Sequence, residues 1–324
     1  MNARTGASRR HVLAALLALA GVPGARAATP AERQDVAVAE ARELLDNYYG
    51  DAEQLRRAGH LLERVLAAAP DHAPALVQMA RHAIKSGQLG GGRLRDGSAE
   101  RCRALITKAL ALDARQQKAW ILKADDCQRA GDPAGAKRAL DSARALGTRD
   151  PWLWMGYGRY HAARNDAWKA WESFEKARQL GPGRSADQRK AYVDALYELA
   201  GFASTDGDQL LELADLAQRE RHPRDAWILE SFAMRFIGRT MFVEAETFAR
   251  AAVETMDFGA GRATLAAALY GRAAEMRERD AHPTEVERVV AEAAALGADR
   301  ASVLDRFGGK QAVALMPTLR EIVR

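Results

Sequence analysis

Seven histidines and two cysteines are the residues of this 324-residue chain best suited to hold a metal or act as nucleophiles. The histidines, His11, His60, His72, His82, His161, His222 and His282, are scattered singly, with no H-E-x-x-H pair. Cys102 and Cys127 lie far apart, so neither residue type offers the close pairing from which metal sites are built. No G-x-S-x-G elbow is present, and no Cys/His signature. Gly92 to Gly97-Ser98 has the G-x4-G spacing of a phosphate loop. It lacks the Lys that would reach the phosphates, and no strand precedes it. The chemistry-bearing residues therefore point away from catalysis and away from any cofactor or metal, and towards binding by a surface.

The first 27 residues have a purpose of their own. Arg4, Arg9 and Arg10 form a positive segment without acidic neighbours, Val12 to Val22 is uninterruptedly non-polar, and Ala25-Arg26-Ala27 supplies an A-x-A cleavage pattern. This is the three-part plan of a secretory signal peptide, cleaved after Ala27. The apolar run is too short for a bilayer, which needs ~20 residues. Ser8-Arg9-Arg10-His11-Val12-Leu13 resembles a twin-arginine export signal, with Val where Phe is usual, so the twin-arginine and general secretory routes both stay open. The expected compartment is periplasmic or secreted, with no transmembrane anchor after leader removal.

The leader also explains the charge. The whole chain carries 48 basic and 43 acidic residues; removing the leader's four Arg leaves 44 against 43. A near-neutral mature chain lacks the concentrated basic footprint that nucleic acid requires. In an oxidising compartment Cys102 and Cys127 are either buried thiols in small-residue core slots or a disulfide.

The elements that must carry a binding surface are helical. Ala, Leu, Arg and Glu dominate the composition, and all are strong helix formers. Leu112-Asp113, Leu146-Gly147 and Leu180-Gly181 recur every 34 residues, as do Trp120 and Trp154, Ala136 and Ala170, Leu140 and Phe174, and Ala143 and Ala177. Trp154, Tyr157, Gly158 and His161 share one helical face; Ala170, Phe174 and Ala177 form the matching face of a second helix, with Asn165-Asp166 at the turn and Pro182 as the stop. On these residues the chain resembles the tetratricopeptide repeat superfamily. The resemblance implies an all-α, right-handed superhelical solenoid of antiparallel helix pairs. It is clearest over 73–116, 117–150 and 151–184, inside a single domain running from 28 to 324 with a divergent part after 185.

Other punctuation fits this plan. An insertion near 89–98 separates the helices of the first clear repeat and predicts an exposed loop over Gly90–Ser98. Thr29-Pro30-Ala31-Glu32 and Ser185-Ala186-Asp187-Gln188 are capping boxes. Thr284 to Glu287 predicts another cap, Gly259 and Gly261 predict a break, and about seven pairs result.

In tetratricopeptide proteins the first helix of each pair lines a concave groove. Carried onto this sequence, the groove stripe is Trp152, Met155 and Arg159, preceded by Lys118, Ile121 and Asp125, and by Pro74, Val77 and Arg81; Lys85 and Arg129 lie one turn on, and Arg189 belongs to the following repeat. An apolar floor with mostly basic flanks suits an acidic or amphipathic segment of another protein, and a solvated helical face is the plain alternative. The Asn and Lys pattern of chaperone-tail-binding members is missing. Trp168 and Trp171, neighbours on a second helix, are not required by the repeat; they either pack on an adjacent element or stand exposed as anchors for a protein or a sugar ring. Export and resemblance together imply a protein-binding scaffold of the cell envelope, with a glycan-binding accessory of polysaccharide or wall metabolism as the alternative.

Overall fold

The computed structural model describes residues 28–88, 94–181, 185–202, 207–307 and 316–323. The segment read as a leader with a twin-arginine-like motif, residues 89–93 of the insertion, and Pro182 lie outside the described residues. The chain divides into two compact units, one ending at Thr148 and the other starting at Arg149.

The first unit holds α1 (Pro30–Asp46), α2 (Ala52–Ala68), α3 (Ala73–Gly87), α4 (Ser98–Leu112), α5 (Gln117–Arg129) and α6 (Pro133–Leu146). The second holds α7 (Pro151–Ala162), α8 (Ala167–Gln179), α9 (Ala186–Ala200), α10 (Gly207–Glu220), α11 (Ala226–Ile237), α12 (Phe242–Thr255), α13 (Gly259–Glu278) and α14 (Pro283–Ala295). Two short helices follow, α15 (Arg300–Asp305) and α16 (Met316–Ile322). Consecutive helices pack as pairs. Outside them the described residues contain only an isolated bridge, Gln88 to Leu94, at the foot of the insertion.

Local chemistry sets where each helix begins. Asp51, Asp132, Asp150, Asp166 and Asp225 each accept a backbone amide from the first turn. Asp-Pro at 132–133 and 150–151 adds a residue whose missing N–H costs nothing at that position. Thr29 and Ser185 close reciprocal capping boxes with Glu32 and Gln188. The cap of α14 differs from expectation: His282 accepts the amide of Thr284, because Pro283 already occupies the first helical position. Gly259 and Gly261 do not break the chain; both lie in the first turn of α13, where Gly261 lets the Phe258 ring fold against the helix.

The turn inside a pair is built the same way four times. Gly131, Asn165, Thr240 and Asp280 adopt left-handed backbone with φ of 72°, 58°, 57° and 56°. The next amide then reaches back to a helix carbonyl: Asp132 to Cys127 at 2.8 Å, Asp166 to His161 at 3.0 Å, Met241 to Phe236 at 3.0 Å and Ala281 to Met276 at 2.9 Å. This Schellman closure satisfies the last carbonyls and reverses the chain.

Small residues let the paired helices approach. A Cβ on Gly158 would fall 2.3 Å from Cε1 of Phe174, so the absent side chain is what seats that ring. In the second unit a larger core gathers Phe232, Phe236, Phe242, Phe248 and Phe307. Glu246 binds it at the surface, accepting from Arg250 at 2.7 Å and from Arg272 of α13 at 2.6 Å. Both cysteines are free; Cys102 is buried, but Cys127 is only half-buried. Burial, with Asp126 and Asp125 adding to it against Arg129 and Arg103, pushes the Cys102 thiol up to about 12.

Candidate functional site

Within each unit the first helices of successive pairs touch: α1 with α3 and α3 with α5, then α7 with α9, α9 with α11, and α11 with α13. Side chains on these helices share a face, and polar links stitch them together. Arg81 of α3 donates to Asp46 of α1 at 2.7 Å, Arg159 of α7 to Glu198 of α9 at 3.5 Å, and Thr264 of α13 to Glu230 of α11 at 2.8 Å.

This arrangement re-sorts the stripe that the sequence implied. In the first unit Arg81 is 6% exposed and also donates to Gln78 at 2.9 Å. Its partner Asp46 is nearly as sheltered, so the pair is a buried structural tie, not a surface for a partner. Ile121 is buried as well. Lys85 lies over the Tyr48 ring at 5.5 Å, and Asp125 pairs with Arg129 one turn along. Asp126, beside them, is buried and held by Arg103 at 2.8 Å. Pro74, Lys85, Lys118, Asp125 and Arg129 are the stripe residues of this unit that keep side-chain exposure, while Val77 is buried with Arg81 and Ile121.

In the second unit Met155 is fully buried in a cluster with Ala170, Phe174 and Leu199, and is core instead of floor. Trp152 packs one side on that cluster, stays partly exposed, and is oriented by its indole N–H, which donates to the Asp187 carbonyl at 3.2 Å. Arg159, two turns further along the same face of α7, keeps over a third of its side chain exposed. Sequence reasoning missed the stripe that faces them: Lys190, Asp194 and Glu198, spaced i, i+4, i+8 on α9. The spacing was visible, but it lies outside the Trp-anchored repeat. Asp194 is held above the ordinary carboxylate range, first by burial and then by Asp225 and Glu198, against Lys190 and Arg159.

The charge balance follows. Arg81, Arg129 and Arg159 each meet a carboxylate of their own chain. The basic flank expected from the sequence is therefore a mixed-charge strip: neighbouring helices supply Asp46 and Glu198, which the sequence stripe omitted, and Arg129 is met by Asp125 of its own helix.

Trp168 and Trp171 are not packed under another element. They are 71% and 40% exposed, with rings stacked on each other at 5.6 Å. The charges around them are used locally: Lys169 with Asp166, Lys176 with Glu172, and Arg178 with Glu175. His161 is partly buried, its ring stacked against Tyr157 and 4.0 Å from Asp166. Among the described residues no group of three or more His, Cys, Asp or Glu is placed to hold a metal, and no helix is long and apolar enough to cross a membrane.

Among solved structures, Cut9 in the APC/C hetero-tetramer Cut9–Hcn1 matches 82% of this chain and 47% of its own, at 15% identity and a TM-score of 0.57. The fold is tetratricopeptide-like. Yeast Tom70 aligns over 93% of this chain and 67% of its own, at 16% identity and a TM-score of 0.49. YrrB, a TPR protein with an unusual peptide-binding site, aligns over 62% and 96%, at 20% identity and a TM-score of 0.40. The chain spans about half the length of the Cut9 chain it matches. No family model and no curated protein matches the sequence.

Proposed function

We propose that this protein is a binding scaffold, exported to the cell envelope, that holds an amphipathic segment of another protein against the inner face of its second unit. The observation that carries this reading is the convergence of Trp152 and Arg159 of α7 with Lys190, Asp194 and Glu198 of α9. A fixed, half-exposed indole beside a strip of both signs offers an aromatic anchor and polar partners to one helix or extended segment. A strip whose charges are balanced selects an amphipathic segment over a strongly acidic one. No catalytic group, cofactor or nucleic acid enters this reading.

The second reading rests on the Trp168–Trp171 pair. An exposed aromatic stack whose neighbouring charges neutralise one another suits an uncharged ligand with an apolar face, such as a pyranose ring of a polysaccharide.

One experiment separates the two. The protein lacking residues 1–27 is used to capture partners from envelope extract and, in parallel, is passed over insoluble peptidoglycan and polysaccharide. Trp152→Ala should remove a defined protein partner, since truncating a true anchor costs ~2 kcal/mol or more, and Arg159→Glu should weaken capture by placing a second carboxylate against Glu198. Trp168→Ala should leave capture intact. Retention on glycan that is lost in Trp168→Ala, with protein capture unaffected by Trp152→Ala, would replace the first reading with the second.

A further inference from the structure

Arg235, near the end of α11, has its guanidinium stacked on a ring from another helix and makes no hydrogen bond or ion pair among the described residues. Its guanidinium lies 3.9 Å from the Tyr197 ring centroid on α9, and its Nε is buried without a hydrogen-bond partner. The stack fixes the plane of the guanidinium, and of its nitrogens only Nε is both enclosed and unpaired. Gly201 makes room for it: a Cβ there would sit 3.1 and 3.2 Å from Nη1 and Nη2. One turn along the chain is Arg239, whose own charged form is disfavoured by burial and by Arg235.

The end of α9 tolerates a cation, because helix C-termini carry partial negative charge. That accounts for the charge being there, but not for a buried N–H left unpaired. A buried donor without an acceptor costs ~1–3 kcal/mol, and a second guanidinium close by adds repulsion. Both costs fall when a group with paired oxygens enters, since the arginine fork matches such groups bidentately and ring stacking has already fixed its plane.

We propose that Arg235, oriented by Tyr197 and assisted by Arg239, forms an oxyanion-binding site at the junction of α9 and α11. It is separate from the Trp152 face and does not depend on it. The ligand is a carboxylate of a bound peptide or a free phosphate, which share the two-oxygen geometry that the fork recognises.

The test is a titration of the protein lacking residues 1–27, followed through the arginine Nε–H signals in nitrogen-15 NMR, where a buried Nε–H gives a protected, resolvable resonance. The probes are N-acetylglutamate amide, inorganic phosphate, and N-acetylglutamine amide as the neutral match. The Arg235 signal should shift saturably with the first or the second probe, which identifies the source, and not with the third. Arg235→Lys keeps the charge but loses the fork and should weaken binding about tenfold; Tyr197→Leu should also weaken it by releasing the plane. Absence of saturable binding by either anion, or binding unchanged in Arg235→Lys, overturns the proposal. Should a variant fail to fold, the wild-type titration alone still decides between these outcomes.

Discussion

Asp194 shows how burial of a single carboxyl on α9 costs stability. Its carboxyl titrates above its ordinary range, chiefly because it is partly buried, while Lys190 and Arg159 offset only some of that cost. In the unfolded chain an Asp titrates near ~3.9. Between that value and the raised folded pKa, the native state binds more protons than the unfolded state. Stability therefore falls as pH rises through this window, and the loss persists above it. Asp194→Asn removes the cost of ionisation. Chemical denaturation should give a higher midpoint for the variant at neutral pH, and the advantage should vanish once the solution is acidified below the unfolded-state value. A variant less stable than the parent at neutral pH would mean that the Arg159 and Lys190 interactions outweigh burial.

At the scale of the helix pair, two features set the geometry: the close approach at Gly158 and the left-handed turn residue. Gly158→Ala places a methyl 2.3 Å from the Phe174 ring, which is itself fully buried. Overpacking of this kind typically costs ~1–3 kcal/mol, so the denaturation midpoint should fall clearly. Gly259→Ala, at a helical position with open space around it, should not lower it. The turn residues make the opposite prediction. Thr240 is β-branched and sits at φ 57° in the slot that Gly131 fills in α5–α6. A non-Gly residue there costs roughly 1–2 kcal/mol, partly offset by the flexibility a Gly adds to the unfolded chain. Thr240→Gly should therefore stabilise by about 0.5–1 kcal/mol, and Gly131→Ala should destabilise; a melt in which Thr240→Gly loses stability would show that the Thr240 hydroxyl, which donates to the Arg239 carbonyl at 2.6 Å, outweighs the strain.

These same slots decide what could be read from the sequence. Trp, Gly, Ala and Phe spaced at 34 residues mark α5 to α8 because close packing admits few residue types at those positions. The α11–α12 and α13–α14 turns were less legible because Thr240 and Asp280 occupy a conformation usually advertised by Gly or Asn. Gly259 and Gly261 misled in the other direction, since a first helical turn accommodates Gly without ending the helix. For the site, periodicity identified the stripe but not its depth. Arg81, Ile121 and Met155 lie on the right helices and are covered, because a neighbouring first helix or the partner helix supplies Asp46 or Phe174 to meet them. Such inter-helix contacts are absent from a pattern read along one helix at a time.

For the molecule as a whole, the boundary that tests the proposed export is the one between residues 1–27 and α1. Thr29 accepts the Glu32 amide at 3.2 Å, and the Glu32 carboxylate accepts the Thr29 amide at 2.7 Å. These bonds hold the Glu32 carboxyl below its ordinary range. Cleavage after Ala27 leaves Thr29 as the second residue of the mature chain, with the whole cap intact. Cleavage even two residues later would remove Thr29 and leave the first amides of α1 without their acceptor. The cap is compatible with cleavage at the bond that the Ala25-Arg26-Ala27 pattern predicts. Intact-mass measurement on protein recovered from the periplasm should give a chain beginning at Ala28, and Thr29→Ala in that mature chain should cost about 1 kcal/mol of stability. Arg9-Arg10 replaced by Lys-Lys should stop export if the twin-arginine route carries the chain and leave it unchanged if the general route does. A periplasmic product that retains residues 1–27, or protein found only in the cytoplasm with those residues attached, would remove the envelope from the proposed function while leaving the proposed face of the second unit as it is.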